Sequence, residues 1–154
     1  NSLAMLVEYV SKLAPPKTIN SMKFLKKYSL IVVLITFMAS CGSSDGVYFE
    51  NLTDGQEVSS TVLVEMGVKG MEIEPAGEVN KGKGHHHIII DGGYMNTGET
   101  IPADANHIHY GKGQTEATIE LTPGQHTLTL QFANGLYQSY GEEWSKTITV
   151  NVKD

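Results

Sequence analysis

The chain has 154 residues, a formal net charge of −6 at pH 7, 18% charged residues and one cysteine, Cys41. A lone cysteine excludes an intrachain disulfide, a thiolate metal cluster of the chain's own making and, at any position away from Cys41, a blue-copper centre. From residue 41 onward there are six lysines, no arginine and 16 of the 17 acids, so this part repels phosphate backbones and argues against nucleic acid as a partner.

Residues 1–21 read as a spurious upstream extension. Their scattered leucines and valines end at Pro15-Pro16, which would stop a helix. Met22 opens a better start. Lys23, Lys26 and Lys27 precede the apolar run from Leu30 to Met38, and Ala39-Ser40-Cys41 follow. A basic segment, a short apolar run and small residues before a cut site mark an export signal over 22–40. The run is shorter than the roughly 20 apolar residues of a spanning helix. The residues before Cys41 resemble a bacterial lipobox, with Met38 where Leu is usual, and this implies a lipid on Cys41. The expected location is therefore the bacterial cell envelope, periplasmic or outer-membrane, with the membrane engaged through the lipid anchor. Residues 41–46 form a small polar tether, and 47–154 the folded domain.

Within that domain, short β-like runs alternate with turn signals. They are Val47 to Phe49, Val58 to Val68, His85 to Asp91, His107 to Tyr110, Thr115 to Leu121, Thr127 to Phe132 and Lys146 to Val152. The links 72–83 and 92–105 lack periodicity and read as long surface loops. About seven strands with no convincing helix predict an all-β fold, a single antiparallel β-sandwich that is immunoglobulin-like in architecture. A copper-resistance-type sandwich of similar strand count is the near alternative. Ile148, Val150, Val152, Leu128, Leu130, Ile119 and Leu121 are the core candidates. Ile88, Ile89 and Ile90 are apolar on both faces, which predicts a central, covered strand.

Five of the six histidines lie in two of these strands, Gly84-His85-His86-His87-Ile88 and Asn106-His107-Ile108-His109-Tyr110. Strand side chains alternate faces, so His85 and His87 share one face and His86 takes the other, while His107 and His109 share a face. Two His-x-His strands can offer four imidazoles to one point. His126, just past the Pro123-Gly124 turn, is a candidate fifth member, and Asp91 a candidate partner orienting a ring. Imidazole suits copper and zinc. The bland reading is a hydrogen-bonded structural network, and a third is a proton sensor. For His86 the structural role is expected.

The runs from Phe49 to Met71, Gly84 to Asp91, His107 to Glu116 and Leu121 to Leu128 resemble a bacterial family of exported domains. It is the domain of unknown function 4399, typified by a His-Ile-His-Phe-Gly motif; Tyr110 stands where that motif has Phe. The resemblance covers nearly all of 47–154 and implies export and a compact β domain. It implies no activity. The His-x-His spacing is also similar to that of the copper-zinc superoxide dismutase sandwich, but only in the spacing.

No catalytic residues stand out. Gly111-Lys112-Gly113 lacks the strand–loop–helix setting of a phosphate loop, and no Gly-x-Ser-x-Gly elbow occurs. Tyr94, Tyr137, Tyr140 and Trp144 lie in or near loops and either cap the core or line a binding surface. The expectation is a metal-binding envelope lipoprotein that stores or delivers copper or zinc, with His85, His87, His107, His109 and His126 as ligands. The alternative is a non-catalytic interaction module for an envelope polymer or partner protein, with structural histidines.

Overall fold

A computed structural model of the chain describes residues 44–153. The upstream extension, the signal segment and Cys41 lie outside the described residues. Two β-sheets pack face to face. The smaller holds β1 (Gly46–Phe49), β3 (Thr61–Lys69) and β7 (Glu116–Glu120), in the order β1-β3-β7. The larger runs β2 (Gln56–Val58), β9 (Ser145–Val152), β8 (Gly124–Ala133), β5 (Lys83–Ile90). Two short strands then share the free edge of β5. The strand β4 (Glu72–Ile73) pairs at Lys83 and Gly84, and β6 (His107–His109) pairs at His87 to Ile89. A single 3₁₀ turn, Glu142–Trp144, leads into β9.

Period-two alternation builds the core between the sheets. The smaller sheet contributes Val47, Val62, Val64, Met66 and Ile119, and the larger contributes Ile88, Leu128, Leu130, Phe132, Ile148, Val150 and Val152. Leu128 and Leu130 are fully buried, each worth about 1.5–3 kcal/mol of transfer free energy. The core candidates named from the sequence all lie here or against it, and the fold is the all-β sandwich expected.

Several details differ from the sequence reading. Among the described residues there are nine strands, because β4 is added and the stretch from Val58 to Val68 is cut at Ser59-Ser60. Its two pieces, β2 and β3, belong to different sheets. The pairs β2–β9 and β4–β5 are parallel, so the sandwich is antiparallel only outside these two short edge pairings. The link 72–83 is not wholly irregular, since it contains β4.

The link 92–105 is a long and mostly exposed loop, as expected, but it is tied to a second segment. Its backbone is stitched to 137–140: Gly98 N–H donates to Ser139 O (2.8 Å), Ser139 N–H to Glu99 O (2.8 Å), and Ile101 N–H to Tyr137 O (2.9 Å). Ile101 is buried. Together these segments form a cover on the outer face of the larger sheet. That explains why Ile89, Thr129 and Gln131, which alternation turns away from the inter-sheet core, are nevertheless 0–1% exposed. Gln131 ties the cover down. Its amide donates to Gly141 O and Trp144 O at 3.0 Å each, and its carbonyl accepts from Met95 N–H at 3.1 Å.

Candidate functional site

The register of β5 fixes the histidines. His87 lies opposite Gln131 on one side and His109 on the other; His85 is opposite Ala133, and Ile89 opposite His107. His85, His87, His107 and His109 therefore share the outer, covered face, as alternation predicts. His85 and His87 are fully buried. Their Nε2 atoms face each other at 3.0 Å, and their ring centroids are 4.7 Å apart. The His109 ring sits edge-on to His87 at 4.4 Å. Tyr137 closes the cluster from above. Its ring is edge-on to His85 at 5.2 Å and to His87 at 6.1 Å, and tilted over His109 at 5.1 Å. Tyr137 holds this place with φ of 64°, in the left-handed region that non-glycine residues seldom enter.

Hydrogen-bond partners assign the protons. His109 Nε2 lies 2.7 Å from the Pro102 carbonyl, which only accepts, so Nε2 carries the proton and neutral His109 keeps its lone pair on Nδ1. Pro102 belongs to the cover, so the cover orients this ring. His107 Nδ1 lies 2.8 Å from Asp104 Oδ1 and donates to it. The Nδ1 atoms of His85 and His87 are buried without a hydrogen-bond partner among the described residues. Burial lowers the His85 pKa to about 4, helped by His109, and lowers that of His87 to about 2, helped by His85 and the other imidazoles. Both rings are thus neutral at physiological pH, the state a metal ligand requires.

His126 does not join them. It shares strand parity with Leu128, Leu130 and Phe132, and so faces the inter-sheet side of β8. Its Nδ1 lies 2.8 Å from Asp91 Oδ2 and its Nε2 2.9 Å from the Thr122 carbonyl. Asp91 first, then the carbonyl, raises its pKa against the opposing effect of burial. With both ring nitrogens engaged by Asp91 and Thr122, and its side of β8 opposite to the cluster, His126 is held apart from the other histidines. Asp91 accordingly orients His126 and none of the clustered rings.

His86 faces the sandwich core, as expected, edge-on to Phe132 at 5.1 Å. It does not make the hydrogen bonds expected of a structural histidine: neither ring nitrogen has a partner among the described residues. Burial, then His85, lowers its pKa to about 4.

Among the described residues, no three His, Cys, Asp or Glu side chains stand ready to close around one ion. The His85–His87 pair comes nearest. Two nitrogens each 2.0–2.1 Å from one ion are roughly 2.9 Å apart at a right angle and roughly 3.4 Å apart at the tetrahedral angle. The observed 3.0 Å falls in this interval. His109 is the adjacent third imidazole, while His107 is farther along the same face and engaged by Asp104.

The sequence reading missed the parts that shape the pocket. Pro102 and the pairing of 98–101 with 137–139 carry no periodic signal. Tyr137 stood out only as a loop aromatic.

No curated protein and no solved structure matches the chain. Residues 64–153 match the model of one family, described as a domain of unknown function, DUF4399. The match spans more than half of the chain and takes in both histidine strands, β8 and β9; the chain belongs to this family.

Proposed function

We propose that this protein is a lipid-anchored lipoprotein of the bacterial cell envelope that binds a transition metal, copper or zinc, for storage or delivery. The observation that carries the reading is the buried pair of Nε2 atoms of His85 and His87, 3.0 Å apart and beside His109. A carbonyl orienting a histidine from behind, as Pro102 does for His109, is the usual second-layer support of a ligating imidazole. The signal-like segment and Cys41 support the envelope location. Elemental analysis of untagged protein, followed by calorimetric titration of the metal-free form, tests the proposal. Bound copper or zinc, or saturable heat at micromolar protein, is expected. Neither metal nor heat would overturn it.

The second reading, an interaction module with structural histidines, rests on a different observation. Tyr94, Val79 and Leu136 are exposed, and the turn at Gly135 packs directly on the backbone of Glu78. In that case binding of a polymer or protein partner would be weakened by Leu136→Ser and indifferent to metal.

A further inference from the structure

We infer that the open edge of β7 takes an added antiparallel strand from a basic partner protein, a segment with lysine or arginine at i and i+4 on one face. This surface belongs to the smaller sheet, and the inference does not rest on the metal-site reading. The backbone carries the first argument. β7 ends the order β1-β3-β7, so one of its edges has no neighbouring strand. The bonds from Met66 N–H to Thr115 O (2.7 Å) and from Leu121 N–H to Ser60 O (2.8 Å) turn the odd-numbered residues toward β3. Successive residues of a strand aim their N–H and C=O groups at opposite edges, so Glu116, Thr118 and Glu120 present theirs to the open one. At five residues β7 is longer than the other strands at sheet edges: β1 has four, β2 and β6 three each, and β4 two. Its register with β3 runs unbroken from Glu116 to Glu120, with no bulge or proline to blunt the edge.

The side chains decide what that strand must carry. Glu116, Thr118 and Glu120 are exposed, and Thr61 Oγ1 holds the Glu120 carboxylate at 2.9 Å. Glu65 and Glu116 are direct cross-strand partners, an opposition of like charges that disfavours the isolated sheet. Among the described residues, Lys83 bridges Glu72 and Glu74, and Lys153 bridges Glu57; none of these bridges reaches Glu65, Glu116 or Glu120. A base set opposite Glu116 supplies the counter-charge to the Glu65–Glu116 row, and a second base, four residues along, meets Glu120. The other face sets the positions between them. Ala117 is half-buried and Ile119 buried at the rim of the core, so the intervening residues of the added strand should be apolar.

A second copy of this chain does not suit the edge. Two β7 strands paired antiparallel in full overlap set Thr118 against Thr118, with Glu116 against Glu120 on both sides. The acid excess from residue 41 onward adds repulsion at longer range. The same glutamates that repel the chain's own edge attract a basic one, so they select a partner as well as guard against self-pairing.

The test uses the full chain, ¹⁵N-labelled and purified in detergent, with a capped heptapeptide, Thr-Lys-Val-Thr-Val-Lys-Thr, as probe. Expected near pH 7 is saturable binding that slows hydrogen exchange of the Glu116, Thr118 and Glu120 amides roughly tenfold. The ring ¹⁵N signals of His85 and His87 should stay in place. In an antiparallel pair, the peptide residues opposite Glu116, Thr118 and Glu120 exchange both backbone bonds with them. N-methylation of the two lysines should therefore weaken binding roughly tenfold or more, and N-methylation of the two valines, whose N–H groups point away, by less than about threefold. The peptide with glutamate for lysine should not bind. Thr118→Pro removes one edge N–H at a position where proline is tolerated, and should abolish the slowed exchange at Glu116 and Glu120. If that variant fails to fold, the two methylated peptides decide alone. No binding of the heptapeptide overturns the inference, and so does binding without slowed exchange at the three amides. Equal binding of the two methylated peptides, or of the glutamate peptide, reduces the contact to something other than strand addition and also overturns it. Dimerisation of the chain that slows the same amides without peptide assigns the edge to a second copy, with the same consequence.

Discussion

His126 and Asp91 form an ion pair that fastens the end of β5 to β8. The His126 Nδ1 to Asp91 Oδ2 distance is 2.8 Å, and Asp91 Oδ1 also accepts the Thr127 amide at 3.0 Å. Asp91 reaches both from a backbone with φ of 55°, immediately after the last residue of β5. The pair follows pH in a definite sense. The His126 pKa is raised, so its contribution is full below about pH 6.5 and is lost as pH rises through the folded value. Burial works to raise the Asp91 pKa, but the bonds from His126 and Thr127 outweigh it, so that contribution is present above 3.8 and lost in stronger acid. His126→Gln should therefore cost about 1–2 kcal/mol at pH 5 and clearly less at pH 9. Urea unfolding at the two pH values checks this; an equal loss at both would show that the ring's charge is irrelevant.

The buried histidines of β5 act in the opposite direction. His85 and His86 have folded pKa values of about 4, and unfolding returns them to about 6.5. Between these values the unfolded chain binds more protons than the folded one, so stability falls as pH drops through that window. Each histidine contributes a slope of up to about 1.4 kcal/mol per pH unit. The metal-free protein should unfold at lower urea at pH 5 than at pH 7.5, despite the gain at His126. A flat profile between those values would contradict the burial of neutral rings.

His86 offers a separate test. Its two ring nitrogens face the apolar core beside Phe132 with no hydrogen-bond partner among the described residues. A buried polar group left unpaired costs about 1–3 kcal/mol, and an apolar replacement of similar size recovers much of it. His86→Leu is expected to raise stability at pH 7.5 by about 1 kcal/mol, and to flatten the pH dependence just described. A loss of more than about 2 kcal/mol would instead mean that His86 holds a buried water or another ligand in solution.

The parts of this architecture that repeat were legible in the sequence. Alternation alone put His85 and His87, and His107 and His109, on shared faces, and the triple isoleucine announced that β5 is covered on both sides. His126 was legible too, had parity been carried back from Leu128 and Leu130; closeness to the Pro123-Gly124 turn was the weaker guide. What escaped the sequence is non-local. The cover is made by backbone bonds between 98–101 and 137–139, about 40 residues apart, and such bonds leave no side-chain period to read. The parallel edge strands β2 and β4 are three and two residues long, too short for any pattern.

Tyr137 is the piece of the cover that seals the histidine pocket, and glycine is the substitution that isolates this role. At φ of 64° a glycine is relaxed, and it can keep the bonds from Tyr137 N–H to Asn134 O and from Ile101 N–H to Tyr137 O, 2.9 Å each. Removing the ring forfeits part of its burial, about 1–2 kcal/mol because it is 37% exposed. Relief of left-handed strain returns about 1–2 kcal/mol. Tyr137→Gly should thus fold with a stability change of about 1 kcal/mol or less, while opening the space above His85 and His87. Modification by diethyl pyrocarbonate, followed by peptide mass mapping, reads that access without requiring a metal. In the wild type, partly exposed His107 should react well before His85 and His87. In Tyr137→Gly the two buried rings should react at least several-fold faster, with His107 little changed. If His85 and His87 react at the same rate in both proteins, another part of the cover limits entry, and Tyr137 is not the seal.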